Sequence, residues 1–138
     1  CEKLSRTLGI ASSVEFMGFV SQDVLKGVMQ KATLAAVPSV WPEPIATVGL
    51  EFMRAGLPVV GFDAGGISDW LIDEHTGFLV PWMDIAEMGR GIEALLDDKT
   101  RARQLGENGR ISVNSLFDFN RYIDRLSDQL ASLAIEAC

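Results

Sequence analysis

Three short apolar runs, separated by helical patterns or turns, constrain the fold of this chain most. They read "TLAAVPS" at 33–39, "PVVGF" at 58–62 and "TGFLVP" at 76–81. Apolar runs of this length without alternation are typical of strands covered on both faces of a parallel sheet. Helical patterns at 45–55 and 84–96 follow the first and the third run. This rhythm predicts an α/β fold with a doubly wound parallel sheet.

The segments on either side extend the pattern. The run "VEFMGF" at 14–19 predicts a further strand, and Ser21 predicts the N-cap of a helix over 22–31. Downstream, helical periodicity covers 100–111 and 118–137. We expect the last helix to face the core through a run of large side chains: Phe117, Phe119, Tyr122, Ile123 and Leu126. We also expect the three tryptophans to serve in packing: Trp41, Trp70 and Trp82.

Composition excludes several classes of partner. A length of 138 residues fits one domain. The formal net charge of -7, with Lys and Arg scattered, argues against a nucleic-acid partner. No apolar run approaches the roughly 20 residues of a membrane span, so we predict a soluble, cytoplasmic protein. Cys1 and Cys138 have no metal-ligand spacing, and we predict neither a disulfide nor a metal site.

Two glutamates lie where a sheet of this kind usually binds its ligand. Ligands of open α/β sheets sit beyond the carboxyl ends of the strands, which here places the loops 18–21, 38–44 and 63–66 along one rim. In the second loop Glu43 precedes the predicted helix, and Glu51 lies inside it.

Helix geometry predicts which way these side chains face. At about 100° per residue, one side of the helix carries Ile45, Val48 and Phe52, toward the core, and the other carries Thr47, Glu51 and Arg54. The free N–H groups of the first turn suit a diphosphate. A carboxylate is suited to accept hydrogen bonds from hydroxyl groups beside it. We therefore predict that Glu43 and Glu51 hold hydroxyls on either side of a bound diphosphate.

A plainer interpretation of both acids stays open. The chain has 19 acids in 138 residues, and acid pairs at any fixed spacing arise by chance at that density. Under this alternative, Glu51 is a solvated helix residue paired with Arg54, and Glu43 is an exposed loop acid. Spacing alone favours the alternative, and only the wider sequence context argues against it.

That context is a set of motifs in a fixed order. The chain reads "PSVWPEPIATVGLEFMRAGLPVV" from 38, "GGISDW" from 65 and "TGFLVP" from 76. Together these resemble the C-terminal domain of the group 1 family of retaining glycosyltransferases, which have the two-domain GT-B fold. The resemblance extends over "VEFMGFVSQDVL" and "LLDDKTRARQLGENGR" and so covers nearly the whole chain. The chain departs from the family at Ile45, Ala46 and Thr47, where Phe-Gly-Leu is common, and at Asp69, where Glu is usual.

The resemblance implies a role for each matching position. Glu51 is expected to hold the ribose hydroxyls of a nucleoside diphosphate sugar. Glu43, as the catalytic residue, is expected to contact the donor sugar and position its reacting carbon. Backbone groups are expected to meet the diphosphate around Ile45, Ala46 and Thr47, and the base at Gly18, Phe19 and Val20.

The resemblance also implies a reaction. It is the transfer of a hexose from the nucleoside diphosphate sugar to an acceptor, with retention of configuration. Metal and other cofactors are not expected, and no Asp-x-Asp motif is present in the sequence.

Family members contain parts that have no counterpart in this sequence. They have an N-terminal acceptor-binding domain, and two further strands carrying an Arg and a Lys that contact the diphosphate. We therefore expect 1–117 to form a partial, Rossmann-like donor-binding domain without its first strands, followed by a C-terminal helix at 118–138. Such a piece is expected to be poorly stable and inactive alone. The saccharide or lipid acceptor, and any peripheral membrane contact, would belong to the missing half.

Two other functions remain as alternatives. A non-catalytic nucleotide or nucleotide-sugar binding module would use Glu51 in the same way without transfer. A nicotinamide-dependent dehydrogenase is disfavoured, because no Gly-x-Gly-x-x-Gly motif follows a predicted strand.

Overall fold

The computed structural model describes residues 1–136, so Cys138 lies outside the described residues, as do Ala137 at the predicted end of the last helix and the side chain of Phe119. The chain divides into two compact units, Cys1–Lys31 and the part from Ala32 onward. In the described part, no helix has the length and apolar character needed to cross a membrane.

The first unit is helical. Helix α1 spans Glu2–Thr7, a 3-10 turn spans Ala11–Ser13, and helix α2 spans Gln22–Met29. The Ser21 hydroxyl accepts a hydrogen bond from the Val24 N–H at 3.5 Å, which confirms the predicted N-cap. Helix α2 ends two residues before the predicted end at Lys31.

The prediction of a strand at 14–19 is wrong. Val14 has extended dihedrals, φ -125 and ψ 122, but within the described residues the segment pairs with no strand. A strand needs a hydrogen-bonded neighbour, and the β-branched and aromatic composition of this segment cannot supply one. Its large side chains are exposed, Phe19 completely. Gly18, at φ +63, also turns the chain out of the extended conformation.

The second unit contains a parallel sheet of three strands in the order β1-β2-β3. Strand β1 spans Ala35–Val37, β2 spans Val59–Phe62 and β3 spans Gly77–Val80. The register pairs Val60 with Ala36 on one side and with Phe78 on the other. All four residues of β2 are buried, as expected for a strand covered on both faces, whereas Ala36 in β1 is exposed.

Four helices and one turn complete the unit. The helices are α3 at Thr47–Arg54, α4 at Ile85–Asp97, α5 at Lys99–Leu116 and α6 at Phe119–Glu136, and a 3-10 turn spans Gly66–Asp69. Local caps set several of these ends. Asp84 accepts the Glu87 N–H at 2.9 Å and caps α4, and Asp98 caps α5 through two N–H groups.

The end of α3 has a glycine cap. Gly56 adopts φ +78, its N–H donates to Met53 O, and the N–H of Leu57 donates to Phe52 O. This pair of bonds is the Schellman motif, and Pro58 then prevents the helix from continuing.

Both faces of the sheet are covered. A Cβ on Gly91 of α4 would lie 3.2 Å from Val60, so α4 packs on the Val60 face. On the next residue along the strand, a Cβ on Gly61 would lie 3.0 Å from Leu71. Successive strand residues point to opposite faces, so Leu71 covers the face opposite α4. This arrangement confirms the predicted doubly wound α/β fold.

The prediction that α6 faces the core is wrong. Tyr122, Ile123 and Leu126 are 61%, 40% and 38% exposed. The core is already closed by α5, whose Leu105 and Val113 are buried against the sheet layer. The amphipathic pattern of α6 was real, but periodicity does not reveal what a helix packs against.

Candidate functional site

The start of α3 has an unusual backbone. Ala46 is the N-cap residue and has left-handed dihedrals, φ 49 and ψ 62. This conformation costs a non-glycine residue about 1–2 kcal/mol and cannot continue a right-handed helix. The helix therefore begins at Thr47, two residues later than the predicted start at Ile45. The Gly49 N–H donates to Ala46 O at 2.9 Å, so the free N–H groups of the first turn are those of Thr47 and Val48.

A buried tryptophan holds the segment before α3. Trp70 is only 1% exposed, and its indole N–H donates to the carbonyl of Ile45 at 2.6 Å. The ring lies against Gly49, where an added Cβ would be 2.7 Å from Cζ2 of the indole. The sequence predicted packing for Trp70 but not this hydrogen bond. The available signal was a glycine inside a helix pattern, which often marks a close approach.

The other two tryptophans do not pack as predicted. Trp41 is 74% exposed and Trp82 is 58% exposed. Both follow a strand, in the loops after β1 and β3, where side chains have less of the core to contact. The Trp82 indole donates to the carbonyl of Val40 at 3.2 Å, which joins these two loops.

Glu43 lies in a loop that is fixed on several sides. It is half-buried, and its Oε1 accepts the Ser39 hydroxyl at 2.6 Å. Its carbonyl accepts the Gly66 N–H at 2.7 Å, and its backbone forms a parallel bridge with Gly65. A Cβ on Gly65 would lie 2.7 Å from the Glu43 nitrogen. The glycine pair therefore allows the loop after β2 to lie directly against the loop after β1.

Glu51 lies on an open cleft of about 250 Å³ between α3 and the C-terminal end of α5. The cleft is lined by Ile45, Thr47, Leu50, Glu51, Arg54, Val113 and Phe117. Glu51 is exposed, and in the described part of the chain it forms no ion pair, with Arg54 or with any other residue. Of the plainer interpretation, the exposure of Glu51 is present in the structure and the ion pair with Arg54 is not.

The exposed face of α3 was predicted correctly, and its buried face only in part. Thr47, Glu51 and Arg54 are exposed. The buried residues of the helix are Gly49, Leu50 and Met53, whereas Ile45 and Val48 are 36% and 43% exposed. The buried face is shifted because Gly49, which has no side chain, points inward and accommodates the indole of Trp70.

The structure brings some of the predicted site residues together. Ile45, Thr47 and Glu51 line the same cleft, whereas Ala46 is buried and does not line it. Glu43 lies outside the cleft, in the loop that leads to it. Gly18, Phe19 and Val20 belong to the other compact unit, Cys1–Lys31, where Phe19 is fully exposed and Val20 is half-buried.

Perturbed titrating groups lie on the surface of the helices, away from this cleft. On α5, Arg110 donates hydrogen bonds to both carboxylate oxygens of Glu107, at 2.9 and 2.7 Å, and this lowers the pKa of Glu107. Within residues 1–136, no group of three or more Asp, Glu, His or Cys side chains is arranged to hold a metal ion.

The sequence matches a family model over most of its length. Residues 1–112 match the model described as glycosyl transferases group 1. The chain therefore belongs to the group 1 glycosyl transferases.

It is 36% identical over 104 residues to the D-inositol 3-phosphate glycosyltransferase of Corynebacterium diphtheriae, covering 75% of this chain and 24% of that protein. It is 28% identical over 110 residues to the glycogen synthase of Mycobacterium tuberculosis, covering 80% of this chain and 26% of that protein. The chain thus spans about a quarter of the length of these relatives.

Solved structures agree with this assignment. The sucrose-phosphate synthase of Thermosynechococcus elongatus superposes with a TM-score of 0.84 at 33% identity, over 99% of this chain and 34% of that one. The Anabaena protein HepE, solved in complex with UDP, superposes with a TM-score of 0.86 at 27% identity, over 95% of this chain and 35% of that one. These neighbours are GT-B glycosyltransferases, so the α/β fold of this chain is the GT-B type over about a third of their length.

Proposed function

We propose that this chain binds the nucleoside diphosphate sugar donor of a retaining hexosyltransferase. The observation that carries the proposal is the placement of Glu51, which is exposed and unpaired among the described residues on the cleft beside the first turn of α3. A carboxylate in this state is ready to accept hydrogen bonds from two neighbouring hydroxyls, as a ribose presents them. Among the described residues, no cation competes with the ligand for this carboxylate.

The start of α3 supports a diphosphate next to this ribose. The N–H groups of Thr47 and Val48 have no partner within the helix, and they carry the positive end of the helix dipole. Oxygen atoms of a diphosphate are well matched to such groups. Thr47 and Glu51 are one turn apart on the same face, so both ends of a nucleoside diphosphate can be contacted at once.

Glu43 is proposed to act on the sugar. Its carboxylate is fixed through Ser39, and its carbonyl is fixed by Gly66, so the side chain is held in one orientation before any ligand binds. Such preorganisation is what positioning of a reacting carbon requires. In this proposal the charge of the departing diphosphate is stabilised by the α3 N–H groups together with basic residues, without a metal ion.

The solved neighbours support the class of donor. One structure of the Anabaena protein HepE contains UDP and another contains UDP-glucose. We propose that this chain takes a ligand of the same class. Transfer also needs a domain that holds the saccharide or lipid acceptor, and we propose that this role falls to a separate acceptor-binding domain. A non-catalytic binding module would have the same cleft, and detectable transfer separates the two.

Thermal shift measurements test the proposal. We expect one of UDP, GDP and ADP to raise the melting temperature of the protein that carries this chain, and NAD to have no effect. Glu51→Ala should abolish the shift. Glu93→Ala, which removes an exposed acid on α4, should preserve it. Failure of all three nucleotides, or an unchanged shift in Glu51→Ala, would contradict the proposal.

A further inference from the structure

The turn after β2 holds the segment before α3 at two carbonyl groups. The Gly66 N–H donates to the Glu43 carbonyl at 2.7 Å, and the Trp70 indole donates to the Ile45 carbonyl at 2.6 Å. Pro44, between them, has no N–H of its own to anchor the chain. Residues 43–45 are therefore held by the 3-10 turn Gly66–Asp69 and by Trp70, which follows it.

The indole of Trp70 cannot shift within this arrangement. It is 1% exposed, and its ring fills the space that a side chain at position 49 would need. Its backbone is also anchored, because the Trp70 N–H donates to the Ile67 carbonyl at 3.3 Å. The indole N–H thus presents a donor at a fixed point, and the Ile45 carbonyl is oriented by it.

The residue next to that carbonyl has a backbone conformation that needs support. Ala46 has φ 49 and ψ 62, and non-glycine residues keep such dihedrals only where the surrounding structure holds them. The Ile45 carbonyl belongs to the peptide that leads into Ala46. If that carbonyl were free to rotate, Ala46 would relax, and the Thr47 and Val48 N–H groups would change direction.

We propose that Trp70 is a positioning residue of the donor site: by holding the Ile45 carbonyl it maintains the left-handed turn at Ala46, which aims the first N–H groups of α3 at the diphosphate. This inference rests on the proposed function. At position 46, glycine would adopt the left-handed conformation without support. With alanine at this position, the turn depends on the hydrogen bond from Trp70.

The first measurement is the UDP affinity of matched variants by calorimetry, in the protein that carries this chain. Trp70→Phe keeps an aromatic side chain at this position and removes the N–H donor. We expect it to weaken UDP binding about tenfold. Trp82→Phe is the control, because it also removes an indole donor to a carbonyl, that of Val40, but in an exposed loop. We expect its UDP affinity to stay within twofold of the wild type.

A rescue experiment separates positioning from general stability. In the double variant Trp70→Phe/Ala46→Gly, glycine needs no support, so we expect the UDP affinity to return to within about threefold of the wild type. If Trp70→Phe does not fold, benzothienylalanine at position 70 preserves the shape of the indole and lacks its N–H. We expect the same tenfold loss from it.

The outcomes are distinguishable. A wild type that binds none of UDP, GDP and ADP overturns the proposed function, and this inference with it; if GDP or ADP is the nucleotide that binds, the same variants are measured with it. A wild type that binds UDP, with an unchanged affinity after removal of the N–H, overturns only the role of Trp70. A tenfold loss that Ala46→Gly fails to restore also overturns it, since that result indicates a structural role.

Discussion

The loop around Glu43 and the cleft at Glu51 are built in opposite ways. Glu43 is half-buried, bonded through Oε1 to Ser39 and pressed against Gly65 by close backbone contact. Glu51 is exposed on an open cleft of about 250 Å³, without an ion pair in the described part of the chain. The two acids are eight positions apart and chemically identical, but only Glu43 is held by a side-chain hydrogen bond. Because of this difference, Glu43 is suited to positioning a reacting group and Glu51 to binding a ligand.

The largest effect should come from breaking the fixed loop. A Cβ on Gly66 would lie 3.0 Å from the carbonyl carbon of Pro44, so Gly66→Ala must separate the two loops. We expect a loss of about 3 kcal/mol in the free energy of unfolding, measured with urea. Gly89→Ala is the control, because no atom lies within 4 Å of a Cβ there and the site is helical. It should stabilise the protein by about 0.5–1 kcal/mol. Equal effects of the two would show that the loops are not in close contact.

Glu43→Gln should separate reaction from binding. The variant keeps the size of the side chain and removes its charge. We expect the release of UDP from UDP-glucose, by the protein that carries this chain, to slow about 100-fold, because the reacting carbon is no longer positioned. The dissociation constant for UDP should stay within twofold. A loss of UDP affinity would place Glu43 in nucleotide binding and remove the distinction between the two acids.

A smaller effect should follow from releasing the Glu43 side chain. Ser39→Ala removes the hydroxyl that donates to Oε1. We expect a loss of about 1 kcal/mol in the free energy of unfolding, since the bond involves a charged but half-exposed acceptor. Ser132→Ala on α6 removes an exposed bond to Gln129 O and should change stability much less. If both serines matter equally, Glu43 is not specifically held.

The smallest effect lies outside both regions, at the ion pair of α5. Arg110 lowers the folded-state pKa of Glu107, so the pair stabilises the fold above the unfolded-state pKa of Glu107, and that contribution is lost as the pH falls through the folded-state value. In Arg110→Met, the pKa of Glu107 should rise toward its ordinary value, as measured by NMR titration. The difference in melting temperature between variant and wild type should shrink below about pH 4. Nucleotide binding should not change.

The parts of the fold that were predictable depend on local signals. The strands β2 and β3 were visible as apolar runs, and the cap at Ser21 follows from the chemistry of one turn. The strand predicted at 14–19 failed because pairing depends on a distant partner. The prediction that α6 faces the core failed for a similar reason, since an apolar stripe on a helix does not indicate which element packs against it.

The candidate site shows the same division. The exposed side of α3, with Thr47 and Glu51, follows from helical periodicity. The hydrogen bond from the Trp70 indole to the Ile45 carbonyl joins residues 25 positions apart. The start of α3 at Thr47 follows from the left-handed backbone of Ala46. Apart from the glycine inside the helix pattern, neither feature has a signature in periodicity or composition.

The most direct measurement of the contrast between the two acids is saturation-transfer NMR with UDP, in the wild type, Glu51→Gln and Glu43→Gln. We expect strong transfer to the ribose protons in the wild type, an equal pattern in Glu43→Gln and loss of the ribose signals in Glu51→Gln. Ribose signals that persist without the carboxylate of Glu51, or that vanish with Glu43→Gln, would contradict it.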